Sequence, residues 1–294
     1  SAEVALELMP GNKIRKYDTW HAMGQGATTG SLVVTLEALK EMHLTPEDIQ
    51  LIQNDTKTCP DTGMAGASRS LYMDGNATII AANKLLAAMR KEDGTLRTYD
   101  EMKAEGIETK YLGRYETNTT PGLCRLDPNT GIGDPTPAFT YCLNLAEVEV
   151  DTKTGKTTVL KFTCVDFVGR IGNIDAVNGQ AYSGIMHGIG FALKEDYADV
   201  KKHANMFGAG TSYIKDVPDD INLIHIDGAI SDGPFGSSGA SEAFQASGHC
   251  AVLNGIYNAC GVRIHEIPAL PEKVKAGLDA IAKGEKPYEP KKYF

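Results

Sequence analysis

The chain has 294 residues, of which 42% are hydrophobic and 23% are charged, so it can bury the core of one large domain or of two lobes. Its formal net charge is -9, and no cluster of Lys and Arg with interleaved aromatic residues occurs, which argues against nucleic acid as a partner. No apolar run approaches the roughly 20 residues of a membrane-spanning helix, and no signal peptide opens the chain, so we expect a cytoplasmic protein that does not bind a membrane.

The first lobe, predicted over residues 1–93, alternates strands and helices with loops of small residues. Its predicted elements are, in chain order, a strand over 1–7, a loop over 21–30, a helix through Leu32, Leu36 and Leu39, a helix start over 45–48, a strand over 49–53, a loop over 61–69 and a helix over 76–90. Both small-residue loops lead into helix N-termini.

Residues 94–137 are polar and carry several Gly and Pro residues, so we expect an excursion that links two lobes and contains a short helix near 100–103. The second lobe is predicted over 138–294. Apolar and polar residues alternate at the start of this lobe, which predicts a hairpin with strands over 146–150 and 160–164.

Four further elements are predicted in the second lobe: a helix opened by Gly179, a strand over 223–226, a helix that stops at Gly261 and a last helix that begins at Pro271. Strands are mixed with helices, one hairpin is antiparallel, and no regular βαβ repeat occurs. This pattern predicts an α+β fold with two lobes of mixed sheet and packed helices.

The cysteines and histidines do not form a metal-binding pattern. Six Cys and seven His residues are scattered, without a C-x-x-C or H-E-x-x-H motif, so iron–sulfur and structural zinc sites are not expected. Cys142 and Cys164 fall in strand-like runs and are expected to be small core residues of a protein from a reducing compartment.

Small-residue loops precede four predicted helices, at Gly24, Gly66, Gly179 and Gly239. Each loop can point backbone N–H groups at an anion, helped by the helix dipole. No P-loop motif occurs, no G-x-S-x-G nucleophile elbow occurs, and the Gly pair at 188–190 falls inside a helix rather than after a strand. The pattern therefore favours a large phosphate-bearing cofactor contacted from several loops.

The run from Gly236 to Glu242 delivers a carboxylate directly after a series of small residues. Small side chains let a bulky ligand approach the main chain, and a carboxylate beside that ligand can act as a general base. The alternative interpretation is a loop in which Ser241 caps the next helix and Glu242 is solvated.

Together these segments resemble the molybdopterin-binding portion of the molybdenum hydroxylases, the family of xanthine oxidase and aldehyde oxidoreductase. The matching motifs include Met-Gly-Gln-Gly at 23–26, Cys-Pro-Asp-Thr-Gly at 59–63, Ala-Ser-Arg at 67–69, Gly-Gln-Ala-Tyr at 179–182, His-Gly-Ile-Gly at 187–190 and the run from Asp232 to Glu242. They occur in the family's order over most of the chain, and the likeness is greatest to bacterial aldehyde oxidoreductases that use molybdopterin cytosine dinucleotide.

The resemblance implies that Glu242 is the catalytic base beside molybdenum, and that Gln25 and Gln180 hydrogen-bond the pterin. The complete set of implied cofactor-binding residues is Gly24, Gln25, Gly26, Gly66, Ala67, Ser68, Arg69, Gln180, Gly239, Ala240 and Ser241. In this family the dithiolene of the pterin holds the metal, so no side chain is expected to be a metal ligand.

The chain departs from the family pattern at the catalytic Glu and in its extent. Ser241 stands where Gly usually precedes that Glu, and Ala243 stands where Pro or Leu usually follows. The chain has no iron–sulfur motif and lacks the first half of the molybdenum domain. We therefore expect this chain to be the C-terminal half of the molybdenum domain of a larger protein, and to be folded but inactive alone. Its expected partners are the N-terminal half of that domain and the domains or subunits that carry 2Fe-2S clusters. The sequence does not decide whether the protein forms a homodimer.

The leading functional hypothesis is a molybdenum-dependent oxidoreductase that hydroxylates small aldehydes to carboxylic acids with water. Hydroxylation of purines or other N-heterocycles is the alternative within the family. A non-catalytic cofactor-binding or assembly module is favoured by the departures near Glu242 and by the missing redox domains. It is opposed by the intact Gln25, Gln180 and Glu242. A phosphate-binding protein unrelated to molybdenum is the remaining interpretation.

Overall fold

The chain forms two compact units, each assembled from segments that are not contiguous in sequence. The computed structural model describes residues 1–117, 127–133, 136, 138–230 and 232–286; residues 118–126, 134, 135 and 137 of the predicted excursion lie outside the described residues. Unit 1 comprises Ser1–Thr140, Val168–Ala176 and Asp227–Gly239, and unit 2 comprises Tyr141–Phe167, Val177–Ile226 and Ala240–Phe294. Residues 138–140, 168–176 and 227–239 of the predicted second lobe therefore belong to unit 1.

Unit 1 is built on a sheet with the strand order β3-β2-β1-β4. Its elements are β1 (Ala2–Met9), β2 (Lys13–Asp18), α1 (Ala27–Ala38), β3 (Ile49–Gln53), α2 (Ser70–Met89), α3 (Tyr99–Ala104) and β4 (Lys110–Tyr115). Strand β1 pairs antiparallel with β2 and β4, whereas β2 and β3 are parallel. The core packs α2 against this sheet through side chains such as Leu6, Leu8, Leu85 and Met89, each at most 2% exposed.

Strands β2 and β4 were not predicted from the sequence, whereas the short helix predicted near 100–103 is α3. In β2 a position that would ordinarily be apolar is Lys16, which is fully buried, so the alternation typical of a strand is interrupted. In β4 a Cβ on Gly113 would lie 2.0 Å from the carbonyl oxygen of Ala77 in α2. Glycine weakens the strand signal at that position and at the same time permits this contact.

Lys16 lies between two buried carboxylates. Its Nζ is 2.7 Å from Oδ1 of Asp74 and 3.3 Å from Oδ2 of Asp18, and all three side chains are fully buried. Asp18 also accepts hydrogen bonds from Ser31 in α1 at 2.7 Å and from Gln53 at the end of β3 at 2.8 Å. This network joins two strands to both long helices of unit 1.

Unit 2 contains a sheet with the order β5-β6-β7. Its elements are β5 (Tyr141–Val150), β6 (Thr157–Phe167), α4 (Ile174–Leu193, the first three residues of which belong to unit 1), α5 (Met206–Ala209), β7 (Asp220–His225), α6 (Ala243–Ala246), α7 (Gly248–Cys260) and α8 (Pro271–Ala282). Strands β5 and β6 form an antiparallel hairpin, and β7 is parallel to β6. Helix α7 packs on β5, where a Cβ on Gly255 would lie 3.1 Å from the Val148 side chain.

Several predictions for unit 2 are confirmed. The hairpin is β5–β6, α7 ends at Gly261 in a left-handed conformation with φ of 78°, and α8 begins at Pro271. Cys164 is fully buried and Cys142 is partly buried, with their thiol sulfurs 3.4 Å apart. The mixed sheets with packed helices confirm the α+β class.

The predicted helix start at Gly179 is wrong. Helix α4 begins at Ile174, five residues earlier, because the Asn173 side chain accepts a hydrogen bond from the Ala176 N–H at 3.0 Å and caps the first turn. Gly179 is therefore inside the helix, where its N–H is not at a helix N-terminus. Among the described residues, no helix is both long enough and apolar enough to cross a membrane.

We predict that Asp74→Asn removes one component of the pH dependence of stability. Burial raises the pKa of Asp74 from 3.8 to about 6, so the folded state binds this proton more tightly than the unfolded chain. The carboxyl therefore favours folding below pH 3.8. By linkage, that contribution, about 3 kcal/mol, is lost as the pH rises through the folded-state pKa. Urea unfolding measures this effect: between about pH 4 and about pH 7, the free energy of unfolding of the wild type should fall relative to that of Asp74→Asn.

The matched control is Asp93→Asn. Hydrogen bonds from Thr95 lower the pKa of the Asp93 carboxyl, so its titration lies below 3.8 and the wild type should not lose stability relative to this variant over the same range. Parallel pH dependence in the wild type and in Asp74→Asn would contradict the prediction.

Candidate functional site

The loop before α1 is held by its own glutamine. The Met23 N–H donates to Oε1 of Gln25 at 2.5 Å, and Nε2 of Gln25 donates to the His21 carbonyl at 2.6 Å. Gly24 and Gly26 have φ of 101° and 83°, which favours glycine. Because an amide has two donor hydrogens and further acceptor capacity, Gln25 braces the loop and keeps hydrogen-bonding capacity for a ligand.

The loop before α2 is anchored by Arg69. Its Nη1 donates to the Met64 carbonyl at 3.0 Å, and its Nη2 donates to the Ser1 carbonyl at 3.3 Å. Ala67 and Ser68 both adopt the left-handed region, with φ of 51° and 52°. Arg69, predicted to be a cofactor-binding residue, thus uses its guanidinium to hold the strained part of its own loop in place.

The segment Asp227–Gly239 of unit 1 contacts that loop directly. A Cβ on Gly239 would be only 1.5 Å from the Ser68 carbonyl oxygen, so no side chain fits there. Earlier in the segment, the Asn76 side chain in α2 donates to the Asp232 carbonyl at 3.0 Å, and a Cβ on Gly75 would lie 2.6 Å from Pro234. Unit 1 therefore brings the predicted residues at 66–69 together with Gly239.

Backbone strain concentrates in these segments. Among the described residues, those other than Gly with positive φ are Asn12, His43, Asn54, Ala67, Ser68 and Phe235. Asn readily adopts this conformation, whereas Ala and Phe pay a steric cost of about 1 kcal/mol or more. Ala67 and Ser68 lie in the loop predicted to bind the cofactor, and Phe235 lies in the matched motif from Asp232 to Glu242. Such strain persists where the surrounding structure imposes it, often at ligand-binding sites.

In unit 2 the glycines of α4 set the position of the segment after Glu242. A Cβ on Gly184 would lie 2.6 Å from Cβ of Phe244, and one on Gly188 would lie 2.9 Å from Cα of Gly248. Gly184 is one helical turn after Gln180, and Phe244 is two residues after Glu242. The predicted pterin contact Gln180 and the predicted base are thus both close to one helix crossing.

Glu242 is exposed and occupies the N-cap position of α6. The turn that presents it is closed by the Ala243 N–H, which donates to the Ala240 carbonyl at 3.1 Å. The alternative interpretation placed Ser241 at the helix cap, but the structure places it one residue before the cap. The predicted run from Gly236 to Glu242 is divided between the units after Gly239.

The contact between the buried Asp166 and the partly buried His225, near Gln180, was not predicted from the sequence. Nδ1 of His225 is 2.7 Å from Oδ2 of Asp166, and Nε2 is 2.8 Å from Oδ1 of Asn178, two residues before Gln180. Burial raises the pKa of Asp166, and the hydrogen bond and charge of His225 partly offset this rise. The three residues are far apart in sequence, so no local motif signals their contact.

No group of three or more His, Cys, Asp or Glu side chains that could hold a metal ion occurs within the described part of the chain.

Comparison with known proteins identifies the family. Residues 1–218 match the family described as "Molybdopterin cofactor-binding domain". The chain is 41% identical to the aldehyde oxidoreductase of Megalodesulfovibrio gigas over 95% of its own length and 30% of that protein. It is 28% identical to the probable hypoxanthine oxidase of Escherichia coli (strain K12), over 89% of this chain and 29% of that one.

A solved structure has the same fold. The crystal structure of the aldehyde oxidoreductase from Desulfovibrio desulfuricans superposes with a TM-score of 0.89 at 43% identity, covering 93% of this chain and 30% of that one. The chain belongs to the molybdopterin cofactor-binding domain family of the molybdenum hydroxylases. This membership confirms that the predicted cofactor is a molybdopterin. The chain spans about 30% of the length of these relatives.

We predict that Gly184→Ala destabilises the chain, because its methyl group would clash with Phe244 at the helix crossing. The expected loss in the free energy of unfolding is about 1–3 kcal/mol. Gly179→Ala in the same helix is the matched control, because nothing lies within 4 Å of the added methyl group. The control should gain about 0.5–1 kcal/mol from helix propensity, and equal effects in the two variants would contradict the prediction.

We predict that His225→Leu destabilises the chain at neutral pH by about 3–5 kcal/mol, because it leaves the buried carboxylate of Asp166 without its partner. Since His225 lowers the pKa of Asp166, its removal lets that pKa rise further, and the variant should regain stability as the pH falls. Denaturant unfolding at several pH values measures both effects.

The matched control is His203→Leu, because the Asp196 side chain that His203 approaches at 3.7 Å is 33% exposed and stays solvated. Its cost should be below about 1 kcal/mol. A loss for His225→Leu no larger than that of the control would contradict the prediction.

Proposed function

We propose that this chain is the cofactor-binding part of a molybdenum-dependent oxidoreductase that hydroxylates aldehydes to carboxylic acids with water. The observation that carries the proposal is the 41% identity to an aldehyde oxidoreductase over 95% of the chain, in a family that binds molybdopterin. The overall reaction balances as aldehyde plus water giving carboxylic acid, two electrons and two protons.

The residues present fit a bulky phosphate-bearing pterin. Gly24 and Gly26 have no side chain, and a Cβ on Gly24 would meet nothing within 4 Å, so a ligand can approach the peptide N–H groups of this loop. Helix α1 has no side-chain cap on its first turn, so those N–H groups are available to an anion. We assign Gln25, Gly24, Gly26 and the 66–69 loop as contacts contributed by unit 1.

In unit 2 we assign Gln180, Ala240 and Ser241 as cofactor contacts and Glu242 as the base. When bound, the cofactor supplies a redox-active metal that accepts the two electrons of the substrate. The Glu242 carboxylate, exposed at the start of α6, takes a proton from the water that is incorporated into the product. The Gln180 amide orients the pterin, and Asn178 and His225 hold the helix on which Gln180 lies.

Cytosine dinucleotide is the proposed form of the cofactor, and 2Fe-2S clusters are assigned to parts of the enzyme outside this chain. The relatives are longer than this chain, which spans 30% of the aldehyde oxidoreductase. The partners proposed here are therefore the remaining half of the molybdenum domain and the iron–sulfur domains, either in one polypeptide or as subunits.

Hydroxylation of N-heterocycles is the second candidate activity. It is favoured by the 28% identity to a probable hypoxanthine oxidase over 89% of the chain. Ser241 and Ala243, which differ from the pattern of the family around the catalytic Glu, flank the residue that would face the substrate.

The test is Glu242→Gln in the complex of this chain with the rest of its protein. We expect the variant to hold as much molybdenum as the wild type and to lose about 10²–10⁴-fold in aldehyde-dependent dye reduction, because it cannot accept the proton. Glu92→Gln, at an exposed Glu in the turn after α2, is the matched control and should keep full activity.

Three results would each change the proposal. Full activity in Glu242→Gln would remove Glu242 as the base. Oxidation of hypoxanthine but not of a small aldehyde would favour the second candidate. A wild-type complex without molybdenum would overturn the cofactor assignment and favour a non-catalytic assembly module.

A further inference from the structure

One face of the sheet in unit 2 is apolar and exposed. We define the outer sheet face by Tyr141, Leu143 and Leu145 of β5, Val165 and Phe167 of β6, and Ile224 of β7. The cross-strand partners are Tyr141 with Phe167, Leu143 with Val165, and Val165 with Ile224, so these side chains form one continuous surface. Tyr141 and Leu143 are each 64% exposed.

The opposite face of the same sheet is buried. Phe162 and Cys164 are fully buried there, and α7 packs on β5. A sheet with one solvated face ordinarily alternates apolar and polar residues, whereas strands that are covered on both faces are apolar throughout. In β5 the outward residues Tyr141, Leu143 and Leu145 are apolar where a solvated face would carry polar residues, so this part of the strand suits a covered outer face.

The apolar character is confined to one end of the face. Along the outer side of β5 the sequence continues from Leu145 to Glu147 and Glu149, and at the same end Lys161 pairs with Asp220 at 3.2 Å. The surface thus has an apolar region with a charged border at one end, where the acidic Glu147, Glu149 and Asp220 outnumber the basic Lys161. Interfaces between proteins have this composition, with an apolar core and a polar rim.

We propose that the outer sheet face docks the part of the enzyme that this chain does not contain, through an apolar patch bordered by basic residues on that partner. The chain spans 30% of the structure that superposes on it, so more than twice its own length of polypeptide lies outside it in that relative. A second copy would bring the same acidic border and the same net charge of -9 against the first, which like-charge repulsion disfavours.

This inference rests on the proposed function, in which the chain works together with the rest of a larger oxidoreductase. It adds the surface through which the two parts associate. Contiguous apolar patches on soluble proteins commonly mark such interaction sites, and buried Leu and aromatic side chains at the centre of an interface dominate its affinity.

The test measures the affinity between this chain and the complementary part of its protein, produced as a separate tagged chain. Leu143→Glu should leave the Tm of the isolated chain unchanged within about 2 °C, because the side chain is exposed and touches little. It should weaken the Kd for the complementary part by at least about 30-fold, because a charge enters an apolar contact.

Two further variants keep the outcome clear. Ile224→Glu, on another strand of the face, should weaken binding in the same way, so misfolding of one variant does not decide the result. Val200→Glu is the matched control, because this residue is 83% exposed in unit 2 and lies outside the face. The Kd of Val200→Glu for the complementary part should stay within about threefold of the wild-type value.

Wild-type affinity in both Leu143→Glu and Ile224→Glu would overturn the proposal. Self-association of the isolated wild type that Leu143→Glu abolishes, measured by sedimentation, would overturn it in favour of a second copy. The molybdenum content of the assembled wild-type complex is recorded separately. An assembled complex that contains no molybdenum but is disrupted by Leu143→Glu would refute the proposed function and leave the docking surface in place.

Discussion

A lysine ammonium with no solvent exposure, held between two carboxylates, is the constraint on which unit 1 depends. An isolated buried charge is costly, so Lys16 requires Asp18 and Asp74 at hydrogen-bonding distance. Asp18 also binds Ser31 in α1 and Gln53 at the end of β3, and Asp74 lies in α2. The network therefore fixes the elements from which the 24–26 and 66–69 loops emerge.

The two loops are held in shape by their own side chains. Gln25 uses its amide to close its own loop, and Arg69 uses its guanidinium to hold the loop that contains the left-handed Ala67 and Ser68. Holding the main chain in this way lowers the conformational entropy that a ligand must otherwise remove on binding. A side chain can thus support a cofactor site by ordering the peptide groups around it as well as by direct contact.

Close backbone contacts at glycine have a comparable role in each unit. In unit 1, Gly239 leaves room for the Ser68 carbonyl, and in unit 2, Gly184 and Gly188 leave room for the segment that follows Glu242. These positions tolerate no Cβ without a shift of main chain, so they fix the placement of neighbouring functional residues within each unit. The partly buried Asp166–His225 pair, through Asn178, adds a polar anchor to the same helix, near Gln180.

The sequence by itself determined the elements whose signals are local: the β5–β6 hairpin, the end of α7 at Gly261, the start of α8 at Pro271 and the α+β class. Family-specific motifs that occur in order along the chain also predicted the cofactor class, because the match rests on many positions at once. Only the tertiary structure decided β2 and β4. A lysine can be buried at position 16 of β2 because carboxylates distant in sequence pair with it, and glycine is needed at position 113 of β4 because the backbone of α2 passes close to it. The tertiary structure also decided the start of α4 and the contact of His225 with Asp166 and Asn178, because capping and long-range pairing depend on which groups the fold brings within hydrogen-bonding distance.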